Sequence, residues 1–455
     1  MNALGRIGLA LGLVVMGGCA ARPREPQTLE AWIQSAGAPL TPAPLRLGAL
    51  DEAFRRVQVV GLGEATHGQH ESFELKRRLT LHLVREHGFR CVAYEASAAS
   101  VEACDAYISG RSADRTAALD SLGMLIWQVE ENGALLDELR EWNRRAGADE
   151  RVRFLGCDAQ DGAAVARSLG ALLRRAVPDR AEELERAARE LVERGERAIQ
   201  LLFTGQREEF DALQADAARV AEQIDALAAS TTEREQAAEL LLRRRELMAV
   251  ITMYAMPGGR DRAMAELLLA QLRGGPSPER CVVWAHNAHV QRGPLGYLQS
   301  EELAMGGHLA AALGERYYAV GFAFGEGEFQ ANAPGPDGRW GYRRYRLSPA
   351  PEGSLEHALG RAREGDFALD LRSAPSAPAV TAWLDSGHGQ RWFGGYGVPD
   401  DCDERTSDVA TLFPTFPRRD FDALVYMAHT RAAEPLDPAR LLTAPAPDPQ
   451  RGTPR

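Results

Sequence analysis

The strongest constraint on this chain is a local grammar that recurs: an apolar, often β-branched run, a stop at an ionisable residue, then a helix-forming stretch. Residues 57–62 lead into Glu64, residues 91–94 into Glu95, residues 152–156 into Asp158, and Cys281–Trp284 into His286. Further runs occupy 317–324, 367–371 and 423–427. Strands alternating with helices specify an α/β fold with a mainly parallel sheet flanked by helices. In open sheets of this kind ligands bind outside the carboxyl ends of the strands. Glu64 with His67, Glu95, Asp158, and His286 with His289 are therefore expected to converge, although they are far apart in sequence. Packing alone does not explain such a gathering, because buried charge requires partners.

Between about 162 and 272 the sequence is rich in Ala, Leu, Arg and Glu and predicts several helices with little strand content. That stretch is too long for one crossover, so a helical cap or subdomain inserted in the middle is expected. The chain is divided into a leader at 1–18, a tether at 19–45, a main domain at 46–435 and a loose Pro-rich tail at 436–455. The leader has a positive start at Arg6, a short apolar stretch, and Gly17-Gly18-Cys19 at its end. That pattern predicts an exported protein, lipid-anchored at Cys19 to the cell envelope. The lipid is then the sole membrane contact expected. A formal net charge of -11 argues against nucleic acid as a partner. Five cysteines remain after Cys19, an odd number without CxxC, and so neither a disulfide framework nor a zinc ribbon is expected.

The first strand opens into Gly61-Leu62-Gly63-Glu64-Ala65-Thr66-His67-Gly68. Glycines let such a turn bend and approach a ligand, and Thr66 with Gln69 has the spacing of a helix-capping box. The following helix is expected to run past Leu83 and end at Gly88. No serine stands in the turn, so it is not a nucleophile elbow, and no Ser-His-Asp or Cys-His arrangement favours a covalent acyl-enzyme. Histidine titrates near neutrality, and a carboxylate beside it fixes its tautomer and raises its basicity. His67 is the natural general base.

The turn just quoted, with Glu71, Phe73 and Lys76 after it, resembles the leading motif of the erythromycin esterase family. Ala93-Tyr94-Glu95 and Trp284-Ala285-His286-Asn287-Ala288-His289 resemble its second and third motifs. Shorter likenesses at Trp127 with Glu131, Gly156-Cys157-Asp158 and Arg260-Asp261 keep the same order. The resemblance implies hydrolysis of a small-molecule ester, in some members a macrolide lactone. His67 would deprotonate water, Glu64 and Glu95 would orient the base or the water, and His286 and His289 would polarise the carbonyl. Lys76, where some members carry Arg, joins Glu71, Asp158, Tyr254 and Arg260 as candidate substrate-binding residues. Leu267 stands where the family often has Asn, a departure that bears on substrate identity.

Two other readings stand beside this one. His67, His70, Glu71, Glu74, Glu95, His286 and His289 supply enough N and O donors for a divalent metal, although the spacing is not HExxH. No cofactor is required by the residues themselves. Distant relatives also resemble haem-binding proteins, which makes a non-catalytic ligand-binding lipoprotein the alternative from another class.

Overall fold

Each apolar run becomes a strand. The computed structural model describes residues 26–40, 44–197, 207–253, 258–273, 278–296, 300–335, 337–395, 398 and 412–442. The expected leader, Cys19, Tyr254 and Cys402 lie outside the described residues. The strands are β1 (Ala38–Pro39), β2 (Val59–Leu62), β3 (Cys91–Ser97), β4 (Arg153–Asp158), β5 (Cys281–Trp284) and β6 (Tyr317–Pro334), followed by β7 (Trp340–Leu347), β8 (Phe367–Asp370), β9 (His388–Arg391), β10 (Leu412–Thr415) and β11 (Ala423–Thr430). Nine of them form one sheet in the order β1-β8-β11-β6-β2-β5-β3-β4, with β7 on β6; β9 and β10 make a separate pair. Neighbours from β11 through β4 are parallel, whereas β1, β7 and β8 add antiparallel pairs.

Side chains alternate across this sheet and divide the core into two layers. Val60, Leu62, Val92, Tyr94, Val282 and Trp284 pack on one face, and Val59, Cys91, Ala93, Cys281 and Val283 on the other. Both faces are buried, as a parallel sheet requires, which is why these strands read as continuous apolar runs.

The helices on these faces begin with α1 (Leu29–Ala36), α2 (Ala49–Phe54), α3 (His70–His87), α4 (Glu102–Ile108), α5 (Arg115–Asp120) and α6 (Glu130–Arg145). The inserted region holds α7 (Gly162–Ala176), α8 (Pro178–Glu196), α9 (Arg207–Ser230), α10 (Arg234–Thr252) and α11 (Gly259–Gln271). It has an apolar core of its own, including Val165, Leu169, Leu184, Phe210, Ile224 and Leu247. Leu267 of α11 joins that core, so this apolar substitution serves packing against the cap.

Three local expectations need correction. Thr66 does not cap α3: the helix starts at His70, Gln69 makes no side-chain cap bond, and the Thr66 hydroxyl is buried without a partner. Long-range bonds hold the turn instead. Gly63 N–H donates to Val320 O, Phe393 N–H to Ala65 O, and Gln330 and Ala433 N–H both donate to Gly68 O. Gly88 does end the helix, in the left-handed conformation at φ 69°. Residues 122–145 carry a helical pattern in the sequence, but the helix is broken. Gly123 at φ 78° is followed by a 3-10 turn at Leu125–Trp127, and extended Val129 bridges Pro435 before α6 begins. β6 runs ten residues beyond the expected 317–324 and returns as β7, which sequence reading missed.

Both described ends contact the body of the fold. Trp32 and Ile33 of α1 are buried in the core. Residues 436–442 are tied down by bonds from Leu436 N–H to Gln128 O and Leu442 N–H to Tyr342 O.

A Cβ at Gly68 would lie 1.8 Å from the carbonyl oxygen of Gln330. Backbone on both sides leaves no side chain to yield. Gly68→Ala is expected to lose about 3 kcal/mol of stability and much of any activity, read by urea unfolding. An unchanged midpoint would show that the turn is free to move.

Candidate active site

β2 ends at Leu62, and the turn after it carries Glu64 beneath the sheet edge, where its side chain is fully buried. Two groups hold that carboxylate. Lys76, from the second turn of α3, places Nζ 2.5 Å from Glu64 Oε2 and 4.7 Å from the centroid of the Trp284 ring. His67 places Nδ1 2.5 Å from Glu64 Oε1. Burial raises the Glu64 pKa, but the Lys76 charge and then His67 outweigh it, and the group stays below the ordinary carboxylate range. Burial pulls the Lys76 ammonium below its usual value despite Glu64. An ionised Glu64 can only accept, so His67 Nδ1 carries a hydrogen, and in the neutral form of the ring the lone pair is on Nε2. Among the described residues Nε2 has no protein partner. The ring stands edge-on to Trp127 at 5.3 Å and lies 5.2 Å from the ring of His286.

β5 delivers His286 to the same place. It caps the four-residue helix α12 (Asn287–Val290), and its Nδ1 accepts the Ala288 N–H at 3.1 Å. Nε2 therefore holds the hydrogen and lies 3.3 Å from Ala65 O. Burial, then the neighbouring His67, push the His286 pKa down to about 3. The ring is neutral at physiological pH: a hydrogen-bond donor and a poor base.

Glu95, two residues before the end of β3, organises the cluster. Its Oε2 accepts the His286 backbone N–H at 2.8 Å, and its Oε1 accepts from Arg260 at 2.9 Å. His289 Nε2 lies 3.3 Å from the same Oε1, while its Nδ1 lies 2.8 Å from Asp261 Oδ1. Although burial opposes ionisation of Glu95, His289, His67 and Arg260 hold it well below the usual range. Burial alone would depress His289; Asp261 and Glu95 instead raise it to about 10.

Several candidate residues are thus placed differently from expectation. His67, Glu64, Glu95, His286 and His289 do come together. However, both nitrogens of His289 face carboxylates, so it is a positioning residue and not a second carbonyl donor. Lys76 is fully buried against Glu64 and has no solvent-facing surface. Asp158 is fully buried and binds Arg260, which bridges it to Glu95. Glu71 accepts from the backbone and side chain of Arg431. The metal-donor set is scattered as well: His70 meets Glu131 at 2.7 Å and Glu74 pairs with Arg77.

Sequence reasoning missed Asp261 as the partner of His289, although the Arg260-Asp261 pair was in view. It also gave no role to Trp127 or to Trp392, whose ring stands edge-on to His286 at 5.9 Å. Trp127 stands out only through the likeness at Trp127 with Glu131, and nothing in its local sequence marks Trp392.

The raised His289 pKa has a sign that can be checked. Its unfolded value is 6.5 and its folded value about 10, so its stabilising contribution is complete below about 6.5 and fades as pH rises toward about 10. His289→Gln should therefore narrow its stability deficit against the parent protein across that window, read by urea unfolding at each pH. A deficit independent of pH would remove the charged clamp.

A family model described as Erythromycin esterase matches residues 84–430. The curated erythromycin esterase type II of Escherichia coli is 26% identical over 340 residues, covering 66% of this chain and 78% of that protein. A Bacillus cereus protein of solved structure aligns with TM-score 0.73 and 23% identity, covering 90% of this chain and 98% of that one. An open-conformation mutant of the erythromycin esterase EreC aligns with TM-score 0.62 and 17% identity, over 87% and 97% of the two chains. These structural likenesses establish the fold, and the family match spans most of the sequence: the chain belongs to the erythromycin esterase family, whose supported activity class is ester hydrolysis.

Proposed function

We propose that this protein hydrolyses carboxylic esters or lactones, macrolide rings among them, with water activated by His67. The observation that carries the proposal is the pairing of a free His67 Nε2, backed by Glu64, with the Nε2–H of a neutral His286. His67 takes a proton from water as its oxygen bonds to the ester carbonyl carbon. The carbonyl π electrons move to oxygen, and His286 Nε2–H turns from its long contact with Ala65 O to stabilise that oxyanion. Collapse breaks the acyl–oxygen bond, and the proton on His67 passes to the departing alkoxide. The products are a carboxylic acid and an alcohol, joined in one chain if the substrate was a lactone. Neither a covalent intermediate nor a cofactor is invoked.

The test is hydrolysis of erythromycin, other macrolides and simple activated esters by the purified protein, with a chelator arm. His286→Ala is expected to lower kcat about a hundredfold with a smaller change in KM, and chelation is expected to leave turnover intact. Activity on simple esters alone would keep the mechanism and discard the macrolide substrate. A haemin absorbance band without hydrolysis would favour the ligand-binding reading. From the leader sequence we also propose export and lipidation at Cys19, tested by the mass of the N-terminal peptide from envelope fractions.

A further inference from the structure

A second group of imidazoles lies at the far end of α3 from the catalytic turn. The helix has 18 residues, about 27 Å at 1.5 Å per residue. His82 and His87 stand near its C-terminus with ring centroids 5.3 Å apart. Both present Nε2 to one oxygen of Asp51 on α2, at 2.6 Å and 2.9 Å from Oδ1. Among the described residues this is the His/Cys/Asp/Glu group whose ligand atoms all lie within 4.8 Å of one another. We propose that Asp51, His82 and His87 bind one divalent transition-metal ion of the zinc class, fastening α2 to the end of α3.

Two imidazole nitrogens and one carboxylate oxygen make a borderline donor set, which suits zinc and its neighbours better than calcium or magnesium. Tetrahedral bonds of about 2.0–2.1 Å put ligand atoms about 3.3 Å apart. All three ligand atoms already lie within 4.8 Å of one another, so seating an ion requires Asp51 Oδ1 to retreat by some tenths of an ångström from each ring and the two Nε2 atoms to settle at the same spacing. Neighbouring groups already hold two of the ligands. Leu47 N–H donates to Asp51 Oδ2 at 3.1 Å, holding the carboxylate as an outer partner would. Phe54 packs edge-on against His87 at 5.8 Å and sets the plane of that ring.

His87 Nδ1 is buried without a partner. Ligation through Nε2 breaks no bond there, and this polar atom is unpartnered in either state. Arg280, a neighbouring cation, directs its guanidinium to the carbonyls of Phe54, Val57 and His87, away from the shared carboxylate oxygen. His82 and Asp51 retain some exposure, so a fourth ligand can be water or a solute. The site lies at the opposite end of α3 from His67 and has no contact with the catalytic cluster.

The experiment titrates Zn²⁺ into the metal-stripped full chain against a chromophoric chelator, with Co²⁺ absorption as a second probe and Tm as a third. The parent protein is expected to bind one equivalent and to gain Tm on binding. His82→Asn and Asp51→Asn should each lose at least about tenfold in affinity, with ester hydrolysis unchanged. His67→Asn should bind as the parent does. No Zn²⁺ binding by the parent, unaltered affinity in both His82→Asn and Asp51→Asn, or loss of binding in His67→Asn would overturn the assignment. His82 is the more exposed of the two rings, so its variant keeps the test open if His87→Asn fails to fold.

Discussion

His67→Ala is expected to lower kcat on a verified ester substrate by at least about a hundredfold while leaving the unfolding midpoint close to that of the parent. The two readouts separate because the His67 ring belongs to the site. Among the described residues its Nε2 has no hydrogen-bond partner, and its Nδ1 bonds to a carboxylate that retains Lys76 when the ring is gone. His67→Gln is a stricter version, since an amide can still reach Glu64 yet cannot carry a proton from water to the leaving group. Full activity in either variant, on a substrate whose products have been identified, would end the case for His67 as the base.

The second large effect is structural and has an unusual pH signature. Lys76→Met leaves the fully buried Glu64 charge without its ammonium partner. Breaking a buried pair from one side costs about 3–5 kcal/mol, and this variant also forfeits the contact of Nζ with Trp284. In the parent, Glu64 has a folded pKa below its unfolded 4.5, so its stabilisation is present above 4.5 and lost as pH falls through the folded value. Without Lys76, His67 is left to oppose burial, so the folded pKa of Glu64 rises from its parent value and acid costs this variant less than it costs the parent. Urea unfolding should therefore show Lys76→Met regaining ground on the parent as pH is lowered. Adding Glu64→Gln should recover part of the loss, because the uncompensated charge is gone. A deficit that is constant with pH, or deepened by Glu64→Gln, would contradict this account of the pair.

Which parts of this architecture were readable in one dimension follows from the range of the forces involved. Strands buried on both faces must be apolar along most of their length, so β2, β3, β5 and β11 are visible as runs, and the ionisable residues near the ends of β2, β3 and β5 mark the sheet edge. Helix punctuation is equally local: Gly88 ends α3 because a left-handed residue costs glycine least. Other elements are set by contacts distant in the chain. β6 continues through Gly325 and Gly327 and acquires β7, because the paired strand satisfies a backbone whose side chains do not alternate cleanly. Thr66 reads as a cap, yet bonds from β6 and from residues 393 and 433 satisfy the turn first, and α3 starts four residues later.

The candidate site divides along the same line. That Glu64, His67, Glu95 and His286 share one end of a parallel sheet was fixed by alternation of strand and helix, a pattern encoded locally. Their division of labour was not. His67 and His286 have the same side chain, but one Nδ1 meets a carboxylate and the other accepts an amide hydrogen, which leaves a lone pair on one Nε2 and a hydrogen on the other. His289 differs from both because Asp261, 28 positions earlier in the chain, closes on it opposite Glu95. Residue type and spacing determined which groups meet; protonation and role were decided by tertiary contacts, because the energy of a buried proton depends on burial and on charges a few ångströms away, distances that the order of residues does not contain.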